Sequence, residues 1–193
     1  MKDRIRRRID ALRPLLHDPA AEVRRSAAEA IEKLEAISCV DDILVTLKSG
    51  DMGARVGAIY ALGEIGGERV VPPLAYCAQR PEVDLRSAAA AALGKLALPA
   101  ALPVLVTLLD DEDPTVQARA IASLGRFSVS QEIVLKLRTF LGATDGVLEA
   151  EAALTLAALN DLHSLQRIHA LFKSSHASTR QAAVAAFSRM PLQ

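Results

Sequence analysis

The chain repeats itself about every 31 residues. One apolar column reads Val23, Ala54, Leu85, Val116 and Leu148, with Thr179 as a polar last member, in steps of 31, 31, 31, 32 and 31. Four residues further on, every copy has alanine: Ala27, Ala58, Ala89, Ala120, Ala152 and Ala183. Eight further on stand Ile31, Leu62, Leu93, Leu124, Leu156 and Phe187. Such spacing puts all three columns on one face of an α-helix. Eleven residues before the opening column a second helix declares itself: Leu12, Ile43, Leu74, Leu105, Leu137 and Ile168, with the same steps. Four later come Leu16, Leu47, Ala78, Leu109, Leu141 and Phe172. Two helices per period, each with an apolar face that one unit cannot bury alone, describe a stacked array of helical hairpins. Slots are counted below from the opening column, slot 0.

The expected fold is an all-α superhelix, an α-α solenoid of six hairpins, forming a single repeat domain over 1–193. Its units run approximately 1–37, 38–67, 68–98, 99–128, 129–160 and 161–193. First helices are predicted near 3–16, 40–48, 70–79, 99–109, 131–141 and 162–173, and second helices near 20–37, 52–65, 82–97, 114–127, 146–159 and 177–190. Turn signals precede the second helices: Asp18-Pro19, Ser49-Gly50-Asp51, Arg80-Pro81, Asp113-Pro114 and Asp145-Gly146. Pro14 falls late in the first helix and should kink or split it. The one extra residue belongs to the turn around Ser128–Ser130. Gly63, Gly94 and Gly125 share slot 9, where glycine implies close backbone packing. Thr179 and Ser188 put polar residues where other units are apolar, and the first helix is strongly basic, so the ends read as partly capped.

Hydrophobic residues make up 51% of the chain but aromatics only 3%, so the core must be Ala, Leu, Val and Ile. With 23 basic and 23 acidic residues the formal charge is zero, which argues against bulk nucleic-acid binding. Cys39 and Cys77 occupy different repeat positions and read as small hydrophobes in or near the core rather than a redox pair. The start lacks a signal peptide's apolar run, and the longest apolar stretch, Leu96 to Leu109, is broken by Pro99 and Pro103. A reducing cytoplasm is the expected location.

The segment Asp18-Pro19-Ala20-Ala21-Glu22-Val23-Arg24-Arg25-Ser26-Ala27-Ala28-Glu29-Ala30-Ile31 resembles the second-helix motif of HEAT repeats, of the short bacterial type named after phycobilisome lyases. Asp111-Glu112-Asp113-Pro114-Thr115-Val116, Leu124-Gly125, Leu85-Arg86 and Leu93-Gly94-Lys95-Leu96 match the same pattern. The resemblance covers nearly the whole chain and speaks to fold far more than to function. It implies that the slot 1 arginines (Arg24, Arg55, Arg86, Arg180) pair with turn aspartates in a ladder between repeats, with Gln117 and Glu149 departing from it.

Catalytic patterns are missing. His17, His163, His169 and His176 form no His-x-x-x-His or His-Glu-x-x-His pair, and the His-Glu pairs of iron hydroxylases built on this repeat do not occur. Phosphate loops, nucleophile elbows and Cys-x-x-Cys are absent as well. No cofactor or metal is called for. What remains is the side of the second helices turned away from the first, at slots 2, 3, 6 and 10. Slot 10 reads Lys33, Glu64, Lys95, Arg126, Ala158 and Arg189, and slot 6 Glu29, Tyr60, Ala91, Ala122, Leu154 and Ala185. Small residues there serve close helix packing, or they form an apolar trough beside a basic edge that accepts a partner segment.

The sequence thus predicts a non-enzymatic scaffold that binds a protein or peptide segment, of acidic character, on its concave face. Arg25, Lys33, Val56, Tyr60, Lys95, Arg119, Arg126 and Leu154 are the candidate contact residues. An alternative is a bilin-lyase-like subunit for chromophore attachment or removal. A third reading is a nucleic-acid backbone binder using Arg25, Lys33, Lys95, Arg119 and Arg126.

Overall fold

The computed structural model describes residues 2–191. Among them every regular element is helical. They fall into two compact units, Met1–Ile65 and Gly66–Gln193.

The first unit holds α1 (Lys2–Leu12), α2 (Ala21–Ser49) and α3 (Met52–Ile65), with α1 and α3 both packed on α2. Pro14 acts as its position predicts: α1 stops at Leu12 and gives way to a 3-10 turn, Arg13–His17. The separate helices expected at 20–37 and 40–48 are one continuous 29-residue helix. The reason lies in what ends a helix. In the second unit two of the second helices are followed by a left-handed residue, Ala97 (φ 49°) or Asn160 (φ 55°), and α3 by Gly66 (φ 77°). The stretch Ser38-Cys39-Val40 offers no such residue and no proline, so α2 runs on to Gly50. That glycine is required, because a Cβ on it would lie 2.6 Å from the Thr46 carbonyl oxygen. Asp51 then starts α3 by accepting from the Ala54 N–H at 2.8 Å. Ile5, Ile9, Ala27, Val40, Leu47, Ala58, Ile59 and Leu62 are buried.

The second unit contains four hairpins: α4 (Val71–Cys77) with α5 (Val83–Leu96), α6 (Leu102–Thr107) with α7 (Pro114–Leu124), α8 (Gln131–Thr139) with α9 (Gly146–Ala158), and α10 (Leu165–Ala170) with α11 (Ala177–Arg189). The second helices pack in succession, α5 on α7, α7 on α9 and α9 on α11, and each also packs on its own first helix. First helices are short because 3-10 turns take over their ends, such as Pro99–Ala101 before α6 and Leu108–Asp110 after it. The hairpin with α8 alone begins without a 3-10 turn. Its junction is irregular through 128–130, and Ser130 caps α8 by accepting from the Ile133 N–H, which is where the extra residue was expected.

Here the columns behave as the periodicity predicts. Leu85, Val116 and Leu148 are buried, as are Ala89, Ala120, Ala152 and Ala183, and Leu93, Leu124 and Leu156. Burying one such leucine contributes roughly 1.5–3 kcal/mol. Two expectations need correction. Thr179 is not a solvent-facing cap: it is fully buried and its hydroxyl donates to the Gly146 carbonyl at 2.9 Å. Slot 9 demands glycine at Gly94, where a Cβ would collide with the Ser123 side chain, but at Gly125 the nearest atom would be an ordinary 3.5 Å away. Cys77 is buried as expected, whereas Cys39 is exposed.

Candidate functional site

The second-helix layer of the second unit is knit by small residues and by a polar rung. Ser123 donates to the Ala90 carbonyl and Thr155 to the Ile121 carbonyl, both at 3.0 Å and both buried. In each case a slot 7 hydroxyl reaches the slot 5 carbonyl of the preceding second helix. Such a bond satisfies the buried hydroxyl and fixes the axial register of two smooth alanine-rich helices. Sequence reading passed over it, although hydroxyl residues at the same slot of adjacent repeats were a visible signal.

The clamp between turns is Arg86. Its Nε and NH2 nitrogens donate to the two Asp111 carboxylate oxygens at 2.8 and 2.9 Å, while NH1 donates to the Arg80 and Pro81 carbonyls of its own turn. Both side chains are only 7% exposed, and the Asp111 hydrogen bonds hold the guanidinium above its ordinary pKa. Asp111 is itself fixed by accepting from the Asp113 N–H at 3.0 Å. The other slot 1 residues keep part of this pattern. Arg24 and Arg180 donate to carbonyls of their own turns, Gln117 donates to the Asp111 carbonyl, and Glu149 accepts from Ser174. A second clamp was not foreseen. Arg138 on α8 donates to both carboxylate oxygens of buried Asp161, which also accepts from Ser164.

The expected contact residues sort by unit. In the first, Arg25 and Lys33 on α2 are exposed, Tyr60 on α3 is 47% exposed, and Val56 is half-buried. In the second, Lys95, Arg119 and Arg126 are exposed and Leu154 is half-buried. All six members of slot 10 are exposed. Ala88 and Ala150, small residues of slots 3 and 2, are instead buried in packing. One groove of about 280 Å³ opens at the N-terminal halves of α7 and α9. Pro114, Ala118, Arg119, Ala122, Val147 and Glu151 are among the residues that line it. Of the eight predicted residues it gathers only Arg119. Burial pushes the Glu151 carboxyl above its ordinary pKa, and the Arg119 charge pulls it partly back.

Among the described residues no three His, Cys, Asp or Glu side chains cluster as metal ligands would, and the four histidines are exposed. No helix among the described residues is long and apolar enough to cross a membrane. Stacked helical hairpins whose second helices pack in succession define an α-helical repeat array. The chain belongs to the HEAT-repeat family: the model described as HEAT repeats matches residues 9–94, 74–137 and 102–188. Phycocyanobilin lyase subunit alpha from Nostoc sp. (strain PCC 7120) is 34% identical over 113 residues, 58% of this chain and 40% of that protein, so the chain spans well under half of its relative. Among solved structures, the complex of CpcE and CpcF of phycocyanin lyase from Nostoc sp. PCC7120 is similar with a TM-score of 0.63 at 18% identity, covering 78% of this chain and 98% of that one. A designed armadillo repeat protein in complex with the peptide (KR)4 gives a TM-score of 0.53 at 18% identity, covering 95% and 99%.

Proposed function

We propose that the protein is a non-enzymatic scaffold that holds a segment of a partner protein against its second helices. The observation carrying this reading is the groove between α7 and α9. Its floor is alanine, so a partner's apolar side chain can seat between Ala118 and Ala122, while Arg119 and Glu151 offer one charge of each sign to orient it. The exposed basic residues Lys95, Arg126 and Arg189 at slot 10 favour a segment with acidic residues beside that anchor. The designed armadillo protein's complex with a peptide supports the general mode of binding.

The test is a peptide-display selection on the wild-type protein, repeated on Ala122→Trp, which fills the groove. Peptides that bind the wild type and lose at least tenfold in affinity on the variant support the reading. Peptides indifferent to the substitution remove it.

A second reading rests on the 34% identity to Phycocyanobilin lyase subunit alpha: a subunit that assists attachment or removal of a bilin. Titrating free bilin with the protein checks it. A saturable change in the visible spectrum favours the lyase-like role, and a spectrum unchanged at excess protein leaves the scaffold.

A further inference from the structure

Glu149 is the one slot 1 residue whose side chain, ionised, has no hydrogen to donate. Arg24 donates to the carbonyls of Asp18 and Pro19, Arg86 to those of Arg80 and Pro81, and Arg180 to those of Ser174 and Ser175. Each time the acceptors stand five and four residues before the opening column. Gln117 donates to the first of its own pair, the Asp111 carbonyl. In the α8–α9 hairpin the equivalent carbonyls are those of Ala143 and Thr144, and among the described residues no donor takes either.

The partner across the hairpins has changed too. Arg86 meets Asp111 five residues before the next opening column, whereas Glu149 meets Ser174 there and accepts from its hydroxyl at 3.3 Å. The cation has gone from this turn and its acceptors remain. A pocket of about 420 Å³ opens there, lined by Ala143, Thr144, Glu149, Lys173, Ser174 and His176 among others. Small-ligand sites span roughly 300–1,000 Å³. Glu149 is half-buried in it, and exposed Lys173 makes no ion pair with Glu149 among the described residues. The His176 ring is held against the start of α9, where a Cβ on Gly146 would come within 2.5 Å of its Cγ, so part of the wall is flat and fixed.

We propose that this pocket binds a guanidinium group, carried by an arginine in a peptide segment or by a small guanidino compound. One edge of the guest donates to the Ala143 and Thr144 carbonyls, as Arg86 does in its own turn. Another edge donates to the Glu149 carboxylate, and the plane stacks on His176. An ammonium lacks the planar fork to reach both acceptor sets. A divalent ion would find one carboxylate, opposed by Lys173. The walls come from two successive hairpins, just as the Arg86 site does, so the pocket is complete within α8–α9 and α10–α11. The groove lies between α7 and α9, so the proposal does not rest on the groove's binding a partner.

The test titrates the isotope-labelled 193-residue chain with arginine capped as N-acetyl methylamide, and separately with agmatine, following amide chemical shifts. Capped citrulline, similar in shape but uncharged, is the control. The expected result is a saturable shift centred on 143–149 and 174–176 with a guanidino probe and none with citrulline. Affinity should fall at least tenfold in Glu149→Gln. It should vanish in Glu149→Arg, whose own guanidinium takes the two carbonyls and raises the melting temperature. The tighter of the two guanidino probes identifies the source, peptide arginine or small molecule. Absence of a saturable shift up to the probes' solubility limit overturns the proposal. So does an equal response to citrulline, or binding unchanged in Glu149→Gln, which decides the matter alone if Glu149→Arg does not fold.

Discussion

The Arg86 guanidinium holds the Asp111 carboxylate through two parallel hydrogen bonds, and the two residues belong to successive hairpins, 25 positions apart. It is the rung that the family resemblance led one to expect, formed where the sequence supplies both partners. Arg24, Gln117 and Arg180 at the same slot bond carbonyls of their own turns and Glu149 bonds Ser174, and aspartate stands five residues before the opening column only at Asp18 and Asp111.

Removing one side of that pair leaves a buried charge alone. Asp111→Ala is expected to destabilise the protein by about 3–5 kcal/mol. Arg86→Lys should recover little, because an ammonium cannot span both oxygens and the Arg80 and Pro81 carbonyls together. Urea unfolding monitored by circular dichroism measures both. Losses under about 1 kcal/mol, the range of exposed ion pairs, would show the clamp to be dispensable.

Gly94 is the slot 9 glycine that packing requires. Gly94→Ala drives a methyl into Ser123 and should cost about 1–3 kcal/mol. Gly125→Ala, with ordinary contact distances around its Cβ, should be within about 1 kcal/mol of neutral or slightly stabilising. Thermal melts of the two variants should therefore differ clearly, and equal melting temperatures would contradict the placement of Ser123.

Ala97 ends α5 in a left-handed conformation that costs an L-residue roughly 1 kcal/mol. Ala97→Gly should raise stability by up to about 1 kcal/mol, since relief of that strain exceeds the entropy added to the unfolded chain. A lower unfolding midpoint would refute the assignment of strain to this residue.

Asp161 gives the chain an acid-sensitive joint. Burial alone would raise its pKa, but hydrogen bonds from Arg138 and Ser164, with the charges of Arg138 and His163, outweigh burial and hold the carboxyl below its usual value. A carboxyl with a depressed folded pKa contributes stability that is fully present above the unfolded pKa of about 3.9, and loses it as pH falls through the lower folded value. Asp161→Asn should thus cost about 1–3 kcal/mol near pH 7 and much less near pH 2. A deficit unchanged between those pH values would mean that charge is not what Asp161 contributes.

How far the sequence could be read follows the physics of each feature. Columns at slots 0, 4 and 8 announced α5, α7, α9 and α11 because burial by neighbouring repeats imposes a period that residues display directly. The fusion of two expected helices into α2 was hidden because helix ends depend on single residues able to turn left-handed, and an apolar period does not register the lack of one after Glu35. Thr179 looked like a cap by polarity alone. Its burial follows from the Gly146 carbonyl within reach, which is a relation in space. The groove was half visible. Slots 2, 3 and 6 pointed to the right face, yet Ala118 at its floor and Glu151 on its rim were told apart from packed neighbours such as Ala150 only by where α7 and α9 part.

The central claim, that a partner segment lies along the second helices of this unit, is tested most directly by hydrogen–deuterium exchange with a display-selected peptide bound. The account predicts slowed exchange in 114–122 and 146–155, the walls of the groove, with α6 and α8 unchanged. Protection confined to the first helices, or absent from both α7 and α9 while the peptide is bound, would contradict it.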